Sequence, residues 1–281
     1  LRERIDGLPR QCLRAWEQAL AFPLPRHDGP VRDVVVVGMG GSAIGGDLLS
    51  DLAALEDSPP VVVCRNYHIP RYVGRESLVI ASSYSGNTEE TLSATLEAVQ
   101  RGARVVAVTT GGLLEEMGRR EGIPLFRVDY VGEPRTALGY SFIVPLAILQ
   151  RLGLLAPKDE EVMEAVEVMA SLGHRLGPEV PLRDNPAKEL AATLHGRLAV
   201  VYGAGILSGV ARRWKTQLNE NAKTWAFFET LPEVSHNSIE GYTLPVSVRE
   251  QAIVVLLSSS YLHPRTRLRY KITQEILAKA G

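Results

Sequence analysis

A cluster of hydroxyl side chains between a predicted strand and a predicted helix is the stretch best suited to chemistry. Ser83, Ser85 and Thr88 follow the apolar run 78–81, and Gly86 lies among them. Apolar residues then recur at three- and four-residue spacing, which predicts a helix that begins at this turn. A helix N-terminus has unpaired N–H groups and a partial positive charge, and hydroxyls add donors without bulk. The turn therefore predicts a phosphate site, with an ordinary helix cap as the alternative.

A glycine-rich turn follows an earlier strand in the same way. Residues 34–37 are all valine, an unbroken β-branched run typical of a central parallel strand that is covered on both faces. Residues 38–47 come directly after this run, are rich in glycine and open a helix. They include Gly41 and Ser42.

Strand and helix patterns alternate along the first half of the chain. This alternation predicts a parallel sheet with helices on both faces. A leading helix is expected over residues 1–22. The predicted strands cover residues 34–37, 60–64, 78–81, 104–109 and 124–128, and later helices cover about 136–152 and 158–172.

The same plan starts again near residue 198. Residues 198–202 precede Gly203-Ala204-Gly205 as the valine run precedes Gly38-Met39-Gly40, and residues 253–257 precede three serines. We interpret this as a diverged internal repeat of one α/β unit. The predicted domains are an N-terminal unit over 1–155, a helical linker over 156–195 and a C-terminal unit over 196–281.

The last predicted helix runs from Pro264 to about residue 280, with Gly281 as its stop. In the first unit, two further strands follow the matching helix, and none follows here. We expect either a smaller second sheet or the absence of a C-terminal segment from this sequence.

Composition and charge exclude several function classes. The 281 residues are 45% apolar and 22% charged, and no apolar run reaches the ~18 residues that a membrane helix needs. A net charge of −1 with interspersed signs offers no broad field for nucleic acid or an anionic membrane. Residues 1–6 carry mixed charges and no export signal, so the cytoplasm is the expected location.

Cysteine and histidine show no pattern of a disulfide or a metal site. Cys12 and Cys64 are too few for a disulfide framework, and neither lies near other ligand-like residues. The histidines other than His236, with His27 among them, fit no ligand spacing and are expected to be structural. No metal is therefore expected.

Three motifs together resemble a known family of phosphosugar enzymes. Residues 83–91, placed after Gly40-Gly41-Ser42, resemble the sugar isomerase (SIS) domain family. Residues 219–223, followed by 231–237 and Glu240-Gly241, resemble more narrowly the bifunctional phosphoglucose/phosphomannose isomerases. The likeness runs from about residue 30 to 280.

The resemblance implies an α/β fold of two flavodoxin-like parallel-sheet SIS subdomains with αβα layers, the second shortened at its C-terminus. It implies an enzyme of glycolysis and gluconeogenesis that interconverts glucose 6-phosphate or mannose 6-phosphate with fructose 6-phosphate. The implied reaction is a proton transfer between C1 and C2 through a cis-enediolate, without metal or cofactor. A hexose 6-phosphate and a second copy of the chain, in a homodimer with shared active sites, are the implied partners.

The resemblance also implies roles for individual residues. Glu220 is the implied base, His236 opens the sugar ring, and Arg135 lies beside the enediolate. Related isomerases add a threonine and a lysine from a later segment, and this sequence has no match for either. Apolar neighbours are expected to raise the pKa of Glu220; they are Trp214, Leu218, Ala222 and Trp225. The implied phosphate-binding residues are Gly41, Ser42, Ser83, Ser85 and Thr88.

Two other functions stay open at this point. Residues 37–40 followed by Ala43 approximate a dinucleotide-binding fingerprint, which suggests a dehydrogenase. That motif does not explain the serine-rich turn, and the second strand ends in Arg65-Asn66, without the acid that binds a ribose 2′-hydroxyl. The other alternative is a phosphosugar sensor that keeps the SIS pocket without turnover. A steady-state assay of fructose 6-phosphate formation separates it from an isomerase.

Overall fold

In a computed structural model of the protein, which describes residues 1–25 and 29–280, the valine run forms an interior strand of a five-stranded sheet. Strand β1 (Asp33–Val37) pairs in parallel with β2 (Val61–Cys64) on one side and with β3 (Ser77–Ser82) on the other. Strands β4 (Arg104–Thr109) and β5 (Leu125–Arg127) complete the order β2-β1-β3-β4-β5. This is the flavodoxin-like order, so the predicted parallel sheet is confirmed.

Helices cover both faces of this sheet. Val34 and Val36 belong to one core cluster, and Val35 and Val37 belong to another on the opposite face. Each of these valines is at most 1% exposed, and burying such a side chain stabilises the fold by about 1.5–3 kcal/mol. The helices are α1 (Arg2–Asp6), α2 (Leu8–Ala21), α3 (Gly40–Ala53), α4 (Glu89–Gln100), α5 (Gly112–Glu121) and α6 (Val144–Arg151). Residues of α2, α3 and α6 pack on the first face, and residues of α4 and α5 on the second.

Two helix predictions in this part of the chain are wrong in detail. The leading helix over 1–22 is interrupted at Gly7, because Pro9 has no N–H to continue the hydrogen-bond ladder. The helix expected over 136–152 is a 3₁₀ turn (Pro134–Thr136), a π-helical turn (Gly139–Ile143) and then α6. The Gln11 side chain enters this region, donating to the Thr136 carbonyl at 3.1 Å and accepting from the Gly139 N–H at 2.8 Å.

A second, smaller sheet follows later in the chain. Strand β6 (Leu198–Ala204) lies between β7 (Ala226–Leu231) and β8 (Ala252–Leu256), all parallel, in a sheet of three strands among the described residues. Its order β7-β6-β8 repeats the order β2-β1-β3, which agrees with an internal repeat. Strand β7 is not predicted from the sequence. The helices from residue 159 onwards are α7 (Asp159–Arg175), α8 (Pro186–Leu194), α9 (Ser208–Gln217), α10 (Val246–Arg249) and α11 (Pro264–Ala280).

The chain divides into a first unit, Leu1–His174, and a second unit, Arg175–Gly281. The domain boundaries predicted at residues 155 and 195 stay predictions. Two further predictions, a structural role for His27 and a helix stop at Gly281, lie outside the described residues. A core of Tyr202, Leu231 and neighbouring apolar side chains stabilises the second unit.

Candidate active site

Two strand-to-helix turns meet at the carboxyl ends of β1 and β3. The chain leaves β1 towards β2 and leaves β3 towards β4, so these neighbouring strands flank the topological switch point of the sheet. In open α/β sheets, ligands bind in the crevice outside the strand ends at such a point. The first turn of α3 contains Gly41 and Ser42, and Ser83, Ser85 and Thr88 lie between β3 and α4.

The serine-rich turn is closed by its own hydroxyls. Ser83 Oγ and Thr88 Oγ1 share a hydrogen bond of 3.0 Å, and the Gly86 N–H donates to Ser83 Oγ at 3.1 Å. Ser83 is 1% exposed, whereas Thr88 is half-buried and Ser85 is exposed. Ser85 Oγ accepts from the Asn87 N–H at 3.2 Å. A hydroxyl that accepts one hydrogen bond can still donate another, so Ser85 can bind an anion from this position.

Ser42 joins the two turns. Its side chain is buried, and its Oγ accepts a hydrogen bond from the Tyr84 N–H at 3.1 Å. That bond holds the start of α3 against the serine-rich turn. Because the first N–H groups of a helix have no partner within it, α3 and α4 both present donors at this edge of the sheet.

The loop after β4 supports the serine-rich turn from behind. Gly86 has a φ of +70°, which favours glycine, and a Cβ at this position would lie 1.8 Å from the carbonyl oxygen of Gly111. The Leu113 N–H also donates to Asn87 Oδ1 at 3.0 Å. The sequence patterns predict none of this support, although Thr110-Gly111-Gly112 after a predicted strand is a turn signal.

Arg135 is brought to the same place. A Cβ on Gly41 would lie 2.6 Å from the Pro134 carbonyl oxygen and 2.9 Å from the Arg135 nitrogen, so only the glycine hydrogen fits there. The predicted arginine therefore lies in a turn that contacts the start of α3, beside Ser42. Arg135 is half-buried, and a positive charge near hydroxyl and N–H donors suits a phosphate or another anion.

Glu220 belongs to the second unit. It lies half-buried on a π-helical turn (Leu218–Ala222) that extends α9, and its carbonyl oxygen accepts from Lys223 Nζ at 2.6 Å. Ala222 and Trp225 are exposed, the latter at 76%. The apolar enclosure expected around Glu220 is therefore wrong for the second unit taken by itself, because this turn lies at the surface.

His236 lies in the segment after β7 and is exposed. Hydrogen bonds on either side hold this segment in place. Asn237 Nδ2 donates to Glu233 Oε1 at 2.8 Å, and Ser238 Oγ donates to Glu229 Oε2 at 2.6 Å. The imidazole is thus presented at the surface, where its ring nitrogens can form hydrogen bonds with a ligand.

Glu220 and His236 lie at opposite ends of β7. The turn that carries Glu220 leads into Ala226, the first residue of the strand, whereas His236 follows Leu231, the last. At a rise of about 3.3 Å per residue, the first and last residues of this strand lie about 17 Å apart. The second unit alone does not bring the predicted base and the predicted histidine together.

Comparison with known proteins connects both units to one family. Residues 183–281 match the family described as bacterial phospho-glucose isomerase C-terminal SIS domain. A bifunctional phosphoglucose/phosphomannose isomerase from Caldicellulosiruptor bescii is 40% identical over 276 residues, which are 98% of this chain and 81% of that protein. This chain belongs to the bifunctional phosphoglucose/phosphomannose isomerase family.

Other similarities agree with the fold. A phosphoglucose/phosphomannose isomerase from Aquifex aeolicus is 35% identical over 253 residues, which are 90% of this chain and 75% of that protein. The solved C-terminal domain of glucosamine-fructose-6-phosphate aminotransferase from Francisella tularensis has a TM-score of 0.70 at 15% identity, over 99% of this chain and 80% of that one. That structure supports the fold alone. Family membership makes the chain a phosphosugar isomerase and counts against the dehydrogenase interpretation.

Metal-ligand groups, membrane helices and cysteines were also compared with what the sequence predicts for this family member. Within residues 1–25 and 29–280, no group of three or more His, Cys, Asp or Glu side chains is placed to hold a metal ion. In the same described part, no helix has the length and apolar character needed to cross a membrane. Cys12 and Cys64 are both buried free thiols.

Proposed function

We propose that this family member interconverts glucose 6-phosphate and mannose 6-phosphate with fructose 6-phosphate. The convergence of Ser42, Ser83, Ser85 and Thr88 beside Arg135, at the switch point of the first sheet, is the observation that carries the proposal. Similarity to enzymes named phosphoglucose/phosphomannose isomerase supports this choice of substrates.

In this proposal the protein holds the substrate by its phosphate group. Gly41 and Ser42 at the start of α3, and Ser83, Ser85 and Thr88 before α4, bind its oxygens with N–H and O–H donors. A phosphate gains from several such donors and from the partial positive charge of two helix N-termini. Binding energy from this remote group holds the reacting carbons in place for the chemical step.

Glu220 is the proposed base for proton transfer. In the aldose-to-ketose direction, its carboxylate takes the proton from C2, the C–H electrons form the C1–C2 double bond, and the C1–O1 π electrons move to O1, which gives a cis-enediolate with its negative charge on O1. The O2 hydroxyl then passes its proton to O1, the C1–C2 double-bond electrons take the proton back from the carboxyl at C1, and O2 becomes the ketone oxygen. One carboxylate performs both transfers, so the step needs no second base at carbon.

Arg135 and His236 complete the proposed chemistry. A guanidinium held beside the enediolate stabilises the charge that develops on its oxygens. A neutral imidazole both donates and accepts hydrogen bonds, so His236 can move a proton between the ring oxygen and O1 as the sugar ring opens. No metal ion or cofactor takes part in these proposed steps.

A homodimer with shared sites fits the positions of Glu220 and His236. Since the two lie at opposite ends of β7, a hexose near Glu220 of one copy would receive its histidine from a second copy of the chain. The cytoplasmic location expected from the sequence stays a prediction.

The proposal is tested by a steady-state assay of fructose 6-phosphate formation from glucose 6-phosphate and from mannose 6-phosphate. Turnover of both is expected, with no turnover of unphosphorylated glucose or mannose at equal concentration. Binding of both sugar phosphates without turnover would instead support the sensor. Absence of both binding and turnover would contradict the phosphate site as well as the reaction.

A further inference from the structure

Tyr84 lies inside the serine-rich turn, and none of the steps above uses it. Its backbone is fixed on two sides. The N–H donates to Ser42 Oγ at 3.1 Å, and the carbonyl oxygen accepts from the Thr110 N–H at 3.1 Å and from Thr110 Oγ1 at 2.6 Å. The position of the Tyr84 backbone is therefore set by the same contacts that shape the proposed phosphate site.

The Tyr84 side chain reaches from this turn to the segment 130–136 that carries Arg135. Its hydroxyl donates to the Tyr130 carbonyl at 2.7 Å and accepts from the Gly132 N–H at 2.9 Å. The rings of Tyr84 and Tyr130 also meet edge to face, with centroids 6.5 Å apart. The hydroxyl proton and one acceptor position of the tyrosine are thus both engaged with one short segment.

The segment passes this restraint on to Arg135 through its own hydrogen bonds. Tyr130 Oη donates to Thr136 Oγ1 at 2.9 Å, and Thr136 Oγ1 donates to the Glu133 carbonyl at 2.8 Å. These two bonds enclose Arg135 between Glu133 and Thr136. On the other side, Gly41 contacts the Pro134 carbonyl and the Arg135 nitrogen, so the arginine backbone is held between α3 and the hydrogen bonds that begin at Tyr84.

We infer that Tyr84 is a positioning residue, whose hydroxyl fixes Arg135 at a set distance from the bound phosphate. The inference rests on the proposed function, because it takes the serine-rich turn as the phosphate site and Arg135 as the group beside the enediolate. Tyr84 does not touch the reacting carbons. It holds the serine-rich turn, which binds the phosphate, rigidly against the segment 130–136, which carries Arg135. Such fixed positions are what a preorganised site requires.

Replacing the hydroxyl alone tests the inference. Tyr84→Phe keeps the aromatic ring and removes both hydrogen bonds to the segment 130–136. Because a shift of about 1 Å in a group that stabilises the transition state costs up to about 100-fold in rate, we expect kcat to fall about 10- to 100-fold. The KM for glucose 6-phosphate should stay within about twofold, since the serines and helix N-termini are unchanged.

Three further variants separate positioning from general loss of stability. Tyr130→Phe removes the next bond and should reproduce the loss in kcat. Tyr140→Phe also removes a buried hydroxyl, but that hydroxyl donates to the Asp129 carbonyl at 3.1 Å, outside the segment, so its kcat should stay near wild type. Arg135→Ala combined with Tyr84→Phe should be no slower than Arg135→Ala alone, because both changes remove one interaction.

Amide hydrogen exchange provides a readout that does not need turnover. In Tyr84→Phe, exchange should become faster over residues 132–136 and stay unchanged over residues 83–88. Wild-type kcat in Tyr84→Phe, or a loss that multiplies fully with that of Arg135→Ala, would overturn the inference, as would unchanged exchange over 132–136. If the wild-type protein showed no turnover, the proposed function would fail, while the exchange experiment would still decide whether Tyr84 fixes the segment.

Discussion

Glu220 and His236 lie beyond opposite ends of one strand, β7, with Glu220 before Ala226 and His236 after Leu231. A six-carbon sugar is far shorter than the roughly 17 Å between the ends of such a strand. If both residues act on one hexose, we expect them to come from different copies of the chain. This expectation uses only the positions of Glu220, β7 and His236 within the second unit.

Subunit complementation follows from this arrangement. We expect Glu220→Gln and His236→Ala each to be nearly inactive alone, and activity to return when the two are denatured and refolded together. A mixed dimer has one site with an intact glutamate from one copy and an intact histidine from the other, so random pairing should restore up to about a quarter of wild-type activity.

Refolding each variant with itself is the matched control, because it reports losses caused by the procedure. Equal activity of the mixed and separate samples, in dimers shown to have exchanged subunits, would mean that both residues of a site come from one copy.

Ser85 allows the phosphate site to be tested without damage to the fold. Ser85 is exposed, and its Oγ accepts a local bond from the Asn87 N–H, whereas Ser83 is 1% exposed. Ser85→Ala should raise the KM for glucose 6-phosphate about tenfold, which corresponds to the loss of one hydrogen bond to a charged group, and leave Tm unchanged. Ser93→Ala, an exposed serine of α4, is the control. An equal KM in the two variants would remove Ser85 from the phosphate site.

Gly41 tests the contact between α3 and the turn that carries Arg135. A methyl group there would lie 2.6 Å from the Pro134 carbonyl oxygen, so Gly41→Ala must move that turn or the start of α3. We expect the free energy of unfolding to fall by about 1–3 kcal/mol. We expect kcat to fall further than this loss of stability accounts for. Gly74→Ala is the control, because a Cβ there meets no atom within 4 Å. Wild-type kcat in Gly41→Ala would show that the close contact has no role in activity.

An ion pair between buried Lys158 and partly exposed Glu56 makes stability depend on pH. Lys158 is 7% exposed, with its Nζ 2.5 Å from Glu56 Oε1. Burial raises the pKa of Glu56, but the Lys158 hydrogen bond, the Ala156 N–H and the Lys158 charge together bring it below its usual 4.5. A carboxyl with a lowered pKa in the folded state contributes stability above its unfolded pKa, and this contribution is lost as pH falls through the folded value.

Glu56→Gln should therefore reduce the free energy of unfolding at pH 7 by about 1–3 kcal/mol, and the difference from wild type should shrink as the pH falls below about 4.5. Denaturant unfolding at a series of pH values measures this difference. Glu164→Gln, an exposed position in α7, is the control and should match wild type throughout. A difference for Glu56→Gln that stays constant down to pH 3 would contradict the ion-pair explanation.

Strands and turns that depend on the types of neighbouring residues can be predicted from the sequence. The valine run 34–37 indicates a strand buried on both faces, and β1 is an interior strand whose valines belong to the cores on both faces of the first sheet. The serine-rich turn is likewise predicted from hydroxyls and a glycine between a strand and a helix. Strand β7 is not predicted, because the exposed Phe227 and half-buried Phe228 obscure any simple apolar alternation.

Contacts between distant residues lie beyond such patterns. Nothing local to Gly41 indicates that Pro134 lies against it, and nothing local to Gln11 indicates that its amide replaces backbone partners at Thr136 and Gly139. The surroundings of Glu220 were expected from sequence neighbours, but neighbours on a surface turn need not enclose it, and Trp225 is exposed. These are properties of packing, which a list of neighbouring residue types does not contain.

The most direct test of the proposed reaction is the turnover number of Glu220→Gln with saturating glucose 6-phosphate, measured beside calorimetric binding of the same sugar. Glutamine keeps the shape of the side chain but cannot take a proton. We expect kcat to fall by about 10²–10⁴-fold while the dissociation constant stays within about threefold of wild type. A kcat close to the wild-type value would show that another group moves the proton and would contradict the proposed mechanism.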